Sequence, residues 1–165
     1  MASTALGQDA RNPAADSPGV LVFPPALALA VLLVGAGAHF LHPLPLSPRL
    51  PARVAGALLA CTAACIVLTA RAAMARAGTN VNPSLPATAI VSDGPFRFTR
   101  NPMYLSLCLL NLGIALLWCD LVPVLLTAVL AAVLHYGVIV REERYLERKF
   151  GDAYSAYRGR VRRWL

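Results

Sequence analysis

Two short polar clusters hold the residues in this sequence best suited to chemistry. The first is Gly94-Pro95-Phe96-Arg97-Phe98-Thr99-Arg100-Asn101-Pro102-Met103-Tyr104. The second is Arg141-Glu142-Glu143-Arg144-Tyr145-Leu146-Glu147, followed by Phe150-Gly151-Asp152-Ala153-Tyr154-Ser155-Ala156-Tyr157. An arginine can grip a carboxylate through two parallel N–H donors. A glutamate accepts from an ammonium or from sugar hydroxyls, and aromatic faces attract a compact cation. Paired carboxylates, an arginine, an amide and aromatic rings together suit a zwitterionic, ring-bearing ligand. The competing reading makes Arg141-Glu142-Glu143-Arg144 a solvated helix end held by weak ion pairs.

The elements that must position these clusters are apolar. Of the 165 residues, 58% are hydrophobic and only 14% charged, where a soluble domain carries about a quarter charged residues. So much apolar surface exceeds what a core of this size can hide, and lipid is the expected second solvent. Residues 20–41 form a first apolar block, which as a helix spans about 33 Å, enough for a bilayer core. Pro24 and Pro25 fall in its first turn, and His39 lies near its far end. A cleaved signal peptide ending near Ala36-Gly37-Ala38 is a weaker alternative, because the upstream base, Arg11, lies far from the block. A second block covers 54–70, bracketed by Arg53 and Arg71. Its small residues Ala57, Cys61, Cys65 and Thr69 recur every four positions, a spacing that lets another helix approach closely. Residues 103–119 and 121–140 make the third and fourth blocks. Asp120 and Pro123 leave almost no loop between them, so they are expected to form a tight antiparallel hairpin.

The connections differ in character. Residues 1–19 read as a poorly ordered tail, and 42–51, with its four prolines, reads as a stiff loop. Residues 71–102 form a long polar stretch with short extended pieces expected at 87–91 and 96–99, split by the turn Ser92-Asp93-Gly94-Pro95. Asn101 is expected to cap the third helix, with Pro102 at its first position. The fourth helix should run on to Phe150 and stop at Gly151. Beyond it, Tyr154, Tyr157, Val161 and Trp164 recur at helical steps among arginines, as in an amphipathic segment on an anionic membrane surface. The expected organisation is therefore a tail over 1–19, two membrane helices over 20–73 and a functional core over 74–165. The fold class is all-α and integral to the membrane, with about four spans.

Charge sets the orientation. Four arginines sit between the second and third blocks and eight Lys/Arg follow the fourth, whereas the tip between blocks three and four has none. The long loop and the C-terminal segment are expected to be cytoplasmic. The net charge of +7 follows the membrane boundaries, which argues against nucleic acid as the partner. Cys61, Cys65, Cys108 and Cys119 show no metal-ligand spacing and read as small packing residues. No metal is expected.

The hairpin brings the start of the third helix beside the end of the fourth, so Arg100, Asn101 and Tyr104 should lie near Glu142 and Glu143. S-adenosylmethionine carries the carboxylate, ammonium, ribose and sulfonium that such a cluster could bind. Arg100-Asn101-Pro102-x-Tyr104, and Glu142-Glu143-x-x-Leu146-x-x-x-Phe150-Gly151-x-x-Tyr154-x-x-Tyr157, resemble the isoprenylcysteine carboxyl methyltransferase and phospholipid methyltransferase superfamily. Gly78-Thr79-x-x-x-Pro83 looks like its bacterial branch. The likeness covers roughly 70–165 and implies a helical membrane fold without a Rossmann domain. It also implies S-adenosylmethionine bound by Arg100, Asn101, Pro102, Tyr104, Glu142, Glu143, Tyr154 and Tyr157. Eukaryotic relatives usually carry His where Asn101 stands.

His135 lies inside the fourth block, seven residues before Glu142 and near the same face. An ionisable residue at that depth is a functional candidate or a hydrogen bonder to a neighbouring helix. Arg100, His135 and Glu142 are the candidate catalytic residues, and Asn111 is expected to bond between helices. The reaction implied by the resemblance is methyl transfer to a lipophilic acceptor arriving from the bilayer. Carboxyl O-methylation is favoured, with phospholipid N-methylation as the alternative. A non-catalytic membrane protein and a nicotinamide-dependent reductase are the other classes.

Overall fold

The computed structural model describes residues 19–82 and 85–165, so most of the expected tail and Pro83 of the Gly78-Thr79 motif lie outside the described residues. Six α-helices carry the described chain: α1 (Pro24–Leu41), α2 (Arg49–Arg76), α3 (Pro102–Trp118), α4 (Leu121–Leu134), α5 (Val140–Phe150) and α6 (Asp152–Arg160). Among the described residues there is no strand, only isolated bridges pairing Pro45 with Asp120 and Thr99 with Arg162. A π-helical turn, His135–Ile139, joins α4 to α5, making one unbroken helix over Leu121–Phe150. Three helices, Pro24–Leu41, Arg49–Arg76 and Leu121–Phe150, are long and apolar enough to cross a membrane, and the apolar α3 is shorter. Their outward faces carry exposed leucines and valines such as Leu33, Leu58, Leu68 and Val129, as suits a lipid solvent.

Proline and glycine mark the ends. Pro24 and Pro102 occupy first turns, where the missing N–H costs nothing. α2 begins at Arg49, so Pro51 belongs to its first turn and not to the expected stiff loop; the helix then runs on to Arg76. Gly151, with φ of 52°, ends α5 where a side chain would be strained. Cys119 turns the chain between α3 and α4 with φ of 55°, an uncommon region for a residue with a Cβ.

The packing face of α2 is Gly56, Ala63, Ala70 and Ala73. The expected stripe of Ala57, Cys61, Cys65 and Thr69 is exposed. Small residues occupy several registers of this helix, and the partner decides between them. A Cβ on Gly56 would come within 2.6 Å of the Gly113 carbonyl, and one on Gly113 within 2.8 Å of the Gly56 carbonyl. Backbone therefore meets backbone between α2 and α3. Cys61 and Cys65 are exposed, whereas Cys119 is buried, so only some of the cysteines serve packing within the chain.

Other local expectations change with tertiary context. Residues 94–97 form a 3-10 turn, which continues the expected turn into the first half of the extended piece expected at 96–99. Asn111 donates to the Leu107 carbonyl of its own helix at 3.0 Å, not to a neighbouring helix. Tyr154 and Tyr157 turn inward and are buried, so α6 packs on the protein through the face expected to meet lipid. The expected boundary between 73 and 74 falls inside α2.

Two clusters fill the interior. Ala28, Tyr104, Leu130, Leu134, Val138 and Ile139 join α1, α3 and the long helix, while Ala70, Ala73, Val91 and Phe96 pack the end of α2 against the following loop. At the far end of the bundle Asp120 is fully buried and takes His39 Nδ1 at 2.8 Å, the Val122 N–H at 2.9 Å and the Leu44 N–H at 3.4 Å. His39 stacks on Trp118 with ring centroids 5.5 Å apart. Burial raises the affinity of the Asp120 carboxyl for its proton, but these hydrogen bonds outweigh it and hold the carboxyl below the usual carboxylate range.

Candidate functional site

The other end of the bundle gathers the first turn of α1, the last turns of α2, the start of α3 and the start of α5. Each element delivers a side chain for a local reason. Arg100 and Asn101 precede Pro102, which bars the residue before it from helical geometry. Asn101 accordingly has φ of −127° and ψ of 53°. The i, i+1 pair Glu142 and Glu143 points to two sides of α5. Tyr104 donates to Glu142 Oε2 at 2.6 Å. Arg100 Nη2 stands 3.3 Å from Glu143 Oε1, and both side chains are over nine-tenths buried.

Residues 161–165 close this end. The Arg100 N–H donates to the Arg162 carbonyl at 2.9 Å. Thr99 Oγ1 and Asn101 Nδ2 both donate to the Arg163 carbonyl, at 3.1 and 2.9 Å. Asn101 thus secures this segment instead of capping α3. The Arg163 guanidinium grips Glu143 through Nε at 3.0 Å and Nη2 at 2.7 Å. That pairing raises the Arg163 pKa against the opposing effect of burial, so the residue stays cationic.

Two cavities meet here. One lies under the loop after α2, and its mixed lining sets Thr79, Asn80, Glu143, Tyr154 and Tyr157 beside apolar residues such as Ile90 and Phe96. The other is larger and more apolar and lies between the start of α1, the end of α2 and the start of α3; Phe23, Val67, Met103 and Leu107 line it, with Arg71 also among its residues. Arg100, Asn101 and Glu142 line both. Arg100 Nε and Nη1 are buried without a hydrogen-bond partner. Buried donors are normally satisfied, and leaving them open costs about 1–3 kcal/mol, more for a charged group. An anionic or carbonyl group on a ligand would satisfy them.

The phospholipid methyltransferase family model matches residues 51–153, more than half of the chain. The chain belongs to that family. A Haemophilus influenzae protein, described only as uncharacterized, is 45% identical over 69 residues, an alignment that takes in 38% of this chain and all of that relative.

Within this phospholipid methyltransferase family member, Arg100, Asn101, Pro102, Tyr104, Glu142, Glu143, Tyr154 and Tyr157 lie around the two cavities. Burial pushes the Tyr154 phenol up to about 12; Glu143 raises it further and Arg100 opposes. Tyr157 is also raised, first by burial and then by Tyr154. Both phenols therefore remain hydrogen-bonding groups at neutral pH and do not supply a phenolate; Tyr157 donates to the Phe96 carbonyl at 2.8 Å. His135 stands apart. Its Nδ1 accepts from the Trp164 indole at 3.1 Å and its Nε2 faces Arg163 Nη1 at 3.4 Å. It lines neither cavity.

Sequence reasoning missed the site role of Arg163 and the lining residues Asn80, Ala87 and Ile90. The loop is stitched by bonds from Asn80 Nδ2 to the Pro86 carbonyl at 2.8 Å and from the Thr88 N–H to Thr79 Oγ1 at 3.1 Å. Thr79, within the Gly78-Thr79 motif, was the one signal for it. Arg163 sits in a run of arginines where spacing distinguishes none.

Proposed function

We propose that this protein is a four-span membrane methyltransferase that uses S-adenosylmethionine and acts on a lipophilic acceptor. The observation that carries the reading is the pair of adjoining cavities, one of mixed lining that holds the carboxylate and phenol groups and one more apolar, with Arg100, Asn101 and Glu142 common to both. A polar cofactor and a bilayer-soluble acceptor need such contrasting chambers and a common boundary at which to meet. The two open donors of Arg100 match the cofactor's carboxylate, and the tyrosine rings and Glu142 match its remaining polar and cationic groups.

S-adenosylmethionine supplies an electrophilic methyl group on a sulfonium. The chain's own contribution is alignment and exclusion of water, since displacement at carbon needs nucleophile, methyl and leaving group in line. Arg100 orients, Glu142 borders the transfer point and Tyr104 fixes Glu142. A carboxylate acceptor is already ionised at neutral pH and needs no base. An amine acceptor must lose a proton, and Glu142 is the group bordering both chambers able to take it. The motif likeness favours the carboxylate, while the family's description as phospholipid methyltransferase supports an amine headgroup. The distribution of arginines supports a cytoplasmic face for the mixed chamber.

The test is transfer of a labelled methyl group by purified protein into fractionated lipids, with products identified by mass. Arg100→Ala and Glu142→Ala are expected to weaken cofactor binding about tenfold or more while the protein still folds. Binding at the wild-type level in both variants would falsify the site. A wild-type protein that methylates no lipid fraction favours the non-catalytic alternative. Competition by a nicotinamide cofactor, and not by S-adenosylhomocysteine, favours the reductase.

A further inference from the structure

Glu143 is shared between two arginines, and the sharing is unequal. Arg163 reaches it with three contacts of 2.7 to 3.1 Å, whereas Arg100 reaches it with Nη2 alone at 3.3 Å. Both oxygens of the carboxylate are therefore committed to Arg163. The main chain fixes Arg163 in place: its carbonyl takes Thr99 and Asn101, the preceding carbonyl takes the Arg100 N–H, and the following Trp164 indole bonds His135. These ties join the start of α3 to the π-turn and α5, the elements that carry Arg100 and Glu143.

We propose that Arg163 is a positioning residue that occupies Glu143 and so keeps the Arg100 guanidinium open toward the cavities. Without Arg163, the buried carboxylate would have one cation within reach. It would draw Arg100 into the bidentate pairing that arginine and carboxylate favour, leaving Arg100 less able to engage a ligand. The inference rests on the reading of this site as the cofactor site. It does not require Arg163 to touch the ligand.

Binding of labelled S-adenosylmethionine to the full chain in detergent, with melting temperature measured alongside, provides the test. R163A is expected to weaken binding about tenfold. R163K, which keeps the charge but not the two-pronged grip, should fall between R163A and wild type. The decisive variant is R163A/E143Q. With the competing carboxylate neutralised, Arg100 is free again and binding should recover well above that of R163A. A merely structural tether predicts no recovery, because the double variant lacks the same tie. If R163A does not yield folded protein, R163Q replaces it in the same comparison. Wild-type binding by the single variant, or a double variant no better than the single one, overturns the inference alone. A wild-type protein that binds no S-adenosylmethionine overturns the functional reading with it.

Discussion

Tyr104 and Glu142 form the shortest side-chain hydrogen bond at the candidate site, 2.6 Å from phenol to carboxylate. A hydrogen bond of this kind contributes about 0.5–1.5 kcal/mol, and its loss leaves a partly buried oxygen unsatisfied. Tyr104→Phe, which keeps the ring and its packing, is therefore expected to lower methyl transfer more than it lowers melting temperature; initial rates and thermal denaturation on one preparation separate the two. His135→Ala should act differently. It removes the partner of the Trp164 indole and so loosens residues 161–165, and a fall in stability at least as large as the fall in activity is the expected pattern. At this scale the sequence was legible where a residue type has one use. Arg100 and the double glutamate are charged groups beside apolar blocks, and topology alone brings them together. Asn101 was misread because an asparagine before a helical proline has two uses, capping and long-range bonding. The partner that decides is the Arg163 carbonyl, 62 positions away.

Element by element, the hydrophobic blocks located the apolar helices, with the second block, 54–70, falling short of α2 at both ends, because an apolar run marks the helix but its flanking arginines can lie within it. Which face of α2 meets α3 was not legible. Alanines and cysteines occur in several registers, and only Gly113 on the partner selects Gly56. Gly56→Ala is expected to destabilise the protein by about 1–3 kcal/mol through overpacking against the Gly113 carbonyl, whereas Cys61→Ala, on the exposed face, should change stability by less than about 0.5 kcal/mol. Thermal denaturation in detergent measures both. The turn between α3 and α4 gives a pH-dependent counterpart. Because the folded Asp120 carboxyl titrates below its unfolded value, its contribution is present above the unfolded pKa of about 3.9 and is lost as pH falls through the lower folded value. Asp120→Asn should lower stability at neutral pH and flatten the acid limb of the stability profile.

For the whole molecule, the four apolar helices have a structural end, built on Asp120, His39 and Trp118, and a site end to which α1, α2, α3 and α5 all contribute. A ligand held by so many elements should stabilise them together. S-adenosylhomocysteine at a hundred times its Kd is expected to add about 2.7 kcal/mol to unfolding, read as a rise in melting temperature. The two-chamber arrangement itself was beyond the sequence, because the apolar chamber is lined by residues that look like ordinary lipid-facing positions until the helices are assembled. In the proposed reaction the acceptor takes the methyl group directly where the two chambers meet, so both reactants must be resident together and nothing is left behind on the protein. Initial rates measured against both reactants should therefore give double-reciprocal lines that intersect, where a shuttle that stored the group would give parallel ones.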